Sequence, residues 1–182
     1  VSRSGIIPIS HTQDTAGPMT RTVRDGALLL GILTGVDPRD NATAVSEGNS
    51  YNDYTQFLEV GGLLEARIGV ARNFTGFDRR VLDLFDEAIT VIAAKGATIV
   101  DPADIPNMDK YKDSEFEAMM YEFKTGLNTY LNNLGPSAPM KSLTEIIAFN
   151  EENRDRSMPF FGQEILIESD TKGPLTDRAY RD

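Results

Sequence analysis

Arg67-Ile68-Gly69-Val70-Ala71, then Asp78 to Ala94, then Ala97-Thr98-Ile99-Val100 is the stretch that decides the fold. The first and last pieces are short apolar runs with β-branched residues, which suits buried strands. Between them Val81, Phe85, Ala88, Ile89 and Ile92 keep helical spacing, and Asp78 stands where a cap is needed. Lys95-Gly96 supplies a helix stop and Asp101-Pro102 a closing turn. Strand, helix and strand with short links predict a βαβ unit over about 67–100, with two parallel neighbouring strands. The chain is therefore expected to be α/β, with a mixed sheet flanked by helices. A nucleotide-binding turn does not fit here. Arg72 to Phe77 contains one glycine, where a dinucleotide fingerprint needs three for close backbone approach to a pyrophosphate.

Beyond Asp109 the pattern turns helical. Ser114 and Glu117 have capping-box spacing, and Phe116, Met120, Phe123, Leu127, Tyr130, Leu131 and Leu134 line one face. Gly135-Pro136 ends that helix, Ser142 and Glu145 cap a shorter one, and a third piece is expected around 162–169. On the N-terminal side, Ser2 to Arg21 reads as a Gly/Pro/Ser/Thr-rich loop with a short strand at Ile6-Ile7-Pro8-Ile9. Thr22 and Asp25 form another capping box before Ala27 to Leu33, a short helix expected to be well buried and stopped by Gly35. Asp37 to Leu58 is polar and expected to be mostly irregular.

The length of 182 residues suits one substantial domain, and 40% apolar with 25% charged residues is ordinary for a globular protein. A net charge of −10 argues against nucleic acid and anionic membrane as partners. Cysteine is absent, which excludes disulfides, and a single histidine, His11, makes a His-based metal site a poor fit. No metal and no cofactor is expected. The apolar run from Ala27 to Leu30 is too short to span a bilayer, and a cytoplasmic location is the expectation. The chain opens on Val1 rather than methionine and closes inside what reads as a helix start, so both ends are expected to be cut from a longer protein.

Candidate chemistry is sparse. Asp83, Asp86 and Glu87 sit opposite an apolar face and read as a solvated surface, as does the mixed charge run from Glu151 to Arg156. Met119, Met120, Tyr121, Phe123 and Tyr130 fit helix packing better than a cofactor pocket. Ser10, His11 and Asp14 share one loop, whereas a catalytic triad needs groups converging from separate places. Asp14 and Arg21 read as a structural clamp, a charge-assisted pair locking a Gly/Pro-rich loop.

Ser2-Arg3-Ser4-Gly5-Ile6-Ile7-Pro8-Ile9-Ser10, running into Gln13-Asp14-Thr15-Ala16-Gly17-Pro18-Met19-Thr20-Arg21, resembles the C-terminal end of the amidase signature. Tyr121-Glu122-Phe123-Lys124, Leu127 to Leu131, Phe149-Asn150-Glu151 and Pro159 to Glu164 resemble the same family, on its general amidase branch. The resemblance implies a partial amidase domain over 1–182, with the end of the signature segment at 1–35 and a helical cover at 110–182. It also implies hydrolysis of linear carboxylic amides through an acyl-enzyme, using a serine, a second serine in a cis peptide, and a lysine. A neutral lysine can relay a proton through the bridging serine, and backbone amides can hold the oxyanion. Those positions precede the residue that matches Val1, so no catalytic, cofactor or metal residue is assigned within this chain. The chain alone is expected to be inactive and to self-associate, with a small-molecule amide as the substrate of the whole enzyme. The rival expectation is a stand-alone α/β binding or scaffold domain without catalysis.

Overall fold

The computed structural model describes residues 1–182. In chain order it contains α1 (Val23–Leu33), β1 (Arg67–Gly69), α2 (Arg79–Ala94), β2 (Thr98–Val100), α3 (Lys112–Asn133), α4 (Leu143–Glu152), α5 (Arg154–Ser157), α6 (Glu164–Asp170) and α7 (Arg178–Arg181). Turns and short 3-10 helices join them. The chain gathers into two compact units. One comprises Val1–Gly17, Thr34–Ser50 and Tyr111–Asp182, the other Pro18–Leu33 and Tyr51–Lys110. No helix is long and apolar enough to cross a membrane.

The second unit holds the βαβ motif that the sequence predicts. β1 and β2 pair in parallel, with Ile68 opposite Ile99. Val70, just past β1, is buried and prolongs the pairing by donating to the carbonyl of Val100 at 2.9 Å. Asp78 caps α2 by accepting from the amide of Arg80 at 2.9 Å, and Gly96 leaves the helix at φ +95. A side chain at Gly96 would press on Leu64 and would disfavour that left-handed φ. Two features differ from expectation. The strands are only three residues long, and α2 buries none of its residues, leaving Val81, Leu84, Phe85 and Val91 exposed. A two-stranded sheet is too narrow to cover a helix of 16 residues. The loop after β1 is tied down by Arg72, which donates to Asp101 at 2.9 Å and to Asp86 at 2.6 Å. Asp86 is thus an ion-pair partner, and Asp83 pairs with Arg79 at 2.9 Å.

α1 begins as the sequence predicts, with the Thr22 hydroxyl accepting from the Asp25 amide at 3.1 Å. It is not well buried, however, and Val23 and Ile32 are exposed. Within its unit α1 meets the turn that holds Thr55–Phe57, which covers only part of its apolar surface. Gly31 lies so close to the Asn52 carbonyl that a Cβ would overlap it.

The other unit is helical around α3. Leu127 and Leu131 of α3 and Leu143 of α4 form a buried cluster, closed by Phe123, Tyr130, Ile146, Ile147 and Leu166. The stripe frays at its ends, where Phe116 and Leu134 are exposed. α3 starts three residues earlier than a cap at Ser114 implies, and Ser114 donates to the Tyr111 carbonyl at 3.1 Å instead of capping. Glu117 reaches Lys172 at 2.8 Å rather than closing a box. Gly135 ends the helix at φ +83, as expected. At α4 the Ser142 hydroxyl accepts from the Glu145 amide at 3.2 Å, and Glu145 in turn accepts from the Lys141 amide at 2.7 Å. Asn128 accepts from the Leu143 amide at 2.7 Å, which fixes α4 against α3. The stretch Ile6 to Ile9 forms no strand. Pro8 has no N–H for a ladder, and the segment turns instead of pairing.

Candidate functional site

Residues 1–14 contain no helix or strand, so their backbone polar groups need other partners. Three carboxylates accept from amides of this segment, and a fourth, Asp37, accepts from a side chain. Asp37 accepts from the Ser2 hydroxyl at 2.7 Å. Asp40 takes the Arg3 guanidinium in a fork, at 2.7 Å and 3.0 Å, and the Arg3 amide at 2.8 Å. The Arg3 Nη1 also donates to the His11 carbonyl. Asp14 folds back to accept from the amides of Ile9 at 2.9 Å and Ser10 at 3.0 Å. Glu122 of α3 holds the other side of the loop.

The Arg3 guanidinium, followed by the Arg3 and Ala42 amides, holds the Asp40 carboxyl well below the usual carboxylate range. Asp37 is lowered to about 2, first by the Arg39 side chain, then by the Arg39 amide and the Ser2 hydroxyl.

Glu122 is the least expected feature, since its side chain is 2% exposed. One oxygen accepts from Ser10 Oγ at 2.6 Å and from the Thr12 amide at 3.1 Å. Thr12 Oγ1 lies 2.9 Å from both oxygens, and Tyr180 Oη of α7 donates to the other at 2.8 Å. His11 Nδ1 stands 3.4 Å away, on a half-exposed side chain. Burial by itself pushes the carboxyl up, but the bonds from Ser10, Tyr180 and Thr12 outweigh it and leave Glu122 below the ordinary value. The Tyr180 hydroxyl is correspondingly raised, first by its bond to Glu122 and then by burial.

Around this anchor α3 holds further chain. Lys124 donates to the carbonyls of Asp170, the last residue of α6, at 2.6 Å and of Lys172, just past it, at 2.7 Å. The ammonium of Lys172 lies 5.8 Å from the centre of the Tyr121 ring, which stacks at a tilt with Tyr180. His11, Ile6 and Pro8 line two shallow hollows, one shared with Arg3 and Asp40, the other with Thr125, Gly126 and Tyr130 of α3. The first hollow encloses about 190 Å³, and its cations are already taken by carboxylates.

The arrangement holds a loop in place and does not by itself assemble a nucleophile. Ser10 directs its hydroxyl to Glu122, and Asp14 is occupied by backbone amides, so Ser10, His11 and Asp14 do not form a relay. Arg21 belongs to the other unit, just before α1, so neither unit by itself contains the Asp14–Arg21 clamp. Sequence reasoning missed Glu122. Its signal was a glutamate set inside the apolar run Met119-Met120-Tyr121 and Phe123, where a solvated residue is out of place.

The chain matches the family model described as Amidase over residues 1–168. It is 35% identical to the "Probable amidase" of Arabidopsis thaliana, over 97% of this chain and 34% of that protein. A glutamyl-tRNA(Gln) amidotransferase chain from Carboxydothermus hydrogenoformans is 36% identical over 59% of this chain and 21% of its own length. Among solved structures, the native peptide amidase of Stenotrophomonas maltophilia superposes with a TM-score of 0.85 at 40% identity. That superposition covers 100% of this chain and 37% of the peptide amidase. The chain thus spans about a third of the length of the Arabidopsis and Stenotrophomonas proteins.

Proposed function

We propose, from the premise that this chain belongs to the amidase family, that it is one section of an enzyme hydrolysing linear carboxylic amides. Water and an amide give an acid and ammonia or an amine. The attacking serine, its cis-peptide serine partner and the lysine lie on the N-terminal side of residue 1 in the whole protein. The lysine takes a proton through the bridging serine, the nucleophile forms an acyl-enzyme, and the proton returns to the leaving amine. Within this chain, Arg3, Asp14, Asp40 and Glu122 hold the segment that follows that catalytic stretch.

The observation that carries this reading is full coverage of the chain by a peptide amidase structure at 40% identity. Large apolar side chains left in the open within both units, such as Val60, Phe77 and Phe160, suit a section of a larger protein better than a stand-alone scaffold. The name of the Stenotrophomonas neighbour makes peptide amides the first substrates to test, followed by simple aliphatic and aromatic amides. The experiment is ammonia release by the whole protein. Turnover of an amide supports the proposal, and a folded whole protein that hydrolyses none of these amides contradicts it.

A further inference from the structure

We propose that Glu122 is a positioning residue of the enzyme: from α3 it sets the course of the Ser10–Asp14 loop, and hence of the chain on the N-terminal side of that loop. The inference rests on the amidase reading for its effect on turnover.

The loop is fastened locally by Asp14 and Arg3, but those bonds join it to residues within the first 40. Its hydrogen bonds to the helical core converge on Glu122, through Ser10 Oγ, the Thr12 amide and Thr12 Oγ1. α3 gives that carboxylate a rigid base, because Leu127 and Leu131 of the same helix lie in the buried cluster. One turn further on, Gly126 lets Pro8 pack directly against the helix, since a Cβ there would stand 3.2 Å from the Pro8 ring. Glu122 and Gly126 therefore form a polar anchor and an adjacent slot on one helix, four residues apart. Tyr180 closes the anchor from α7. Glu122 touches no reacting atom in this account. It acts through the backbone that it orients.

The test uses the whole protein. Glu122→Gln keeps the size but replaces an acceptor with an N–H group that faces donors, and the Thr12 amide cannot reverse its role. A displacement of about 1 Å at a distance can cost about a hundred-fold in rate, so kcat for amide hydrolysis is expected to fall about ten- to hundred-fold with KM little changed. Glu122→Asp, which retains the carboxylate, should recover part of that loss. Native kcat per folded molecule in Glu122→Gln, with only a lower melting temperature, would show a purely structural tie and overturn the proposal. If Glu122→Gln does not fold, Thr12→Val decides instead. A several-fold fall in kcat per folded molecule is expected, with a lower melting temperature because a donor to a buried carboxylate is lost, and an unchanged kcat per folded molecule overturns the proposal. Should the native protein turn over no amide, the amidase reading fails on its own. Amide exchange at Thr12 then reads the anchor separately. Protection in the native protein that is lost in Glu122→Gln supports it, and equal exchange in both refutes it.

Discussion

Ser10 donates a 2.6 Å hydrogen bond to Glu122, 112 residues later in the sequence. This contact closes a loop that has no secondary structure of its own onto the longest helix of the molecule. Tyr180 reaches the same carboxylate from the other direction, 58 residues further along. Three stretches that are remote in sequence thus meet on one buried acid, and the bonds to it are charge-assisted.

The acid sensitivity of the fold follows from these carboxylates. Glu122, Asp37 and Asp40 each have a folded pKa below the ordinary value, so each stabilises the fold above its unfolded pKa, near 4 for such groups. That stability is lost as the pH falls through the folded pKa, which for Asp37 is about 2. Melting followed by circular dichroism should show little change from pH 7 to about 5 and a progressive fall from about 4 towards 2. Glu122→Gln should melt lower at pH 7 and respond less to acid. A melting temperature that rises below pH 4 would contradict this assignment.

Core position and chain position make different predictions for two leucines. Leu143 is fully buried between α3 and α4, and Leu143→Ala should cost about 2–5 kcal/mol through lost transfer energy and a residual cavity. Leu134, half exposed at the end of α3, should cost about 1 kcal/mol or less when changed to alanine. Urea unfolding of the two variants measures the difference. Equal losses would mean that the cluster is not packed as described.

Gly31 tests α1 in the opposite sense to helix propensity. Alanine normally favours a helix over glycine by about 1 kcal/mol. At Gly31 the added methyl would overlap the Asn52 carbonyl, so Gly31→Ala should destabilise by about 1–3 kcal/mol, as overpacking does. A gain in stability would show that α1 does not lie against the turn at Asn52.

The parts of this fold that were legible in the sequence are those set by local chemistry. Asp78, Gly96, Thr22, Ser142 and Gly135 act within a few residues of themselves, and each does what its position suggests. Ser114 misled because its hydroxyl can donate backwards as readily as it can cap, and it shares the Tyr111 carbonyl with the Glu115 amide. Burial was harder to read. The apolar faces of α1 and α2 are amphipathic by spacing, yet spacing does not say whether a partner is present, and here they stay open. Glu122 was invisible to periodicity because its partners come from residues 10, 12 and 180, which no local pattern connects.

The most direct test of the account is to locate the nucleophile. The whole protein should be labelled with a serine-directed inhibitor during amide turnover, and the modified peptide identified by mass spectrometry. The account predicts one labelled serine on the N-terminal side of residue 1, with residues 1–182 unmodified and, prepared alone, unable to release ammonia. A label on Ser10 or any other serine within residues 1–182, or amide turnover by this chain alone, would contradict it.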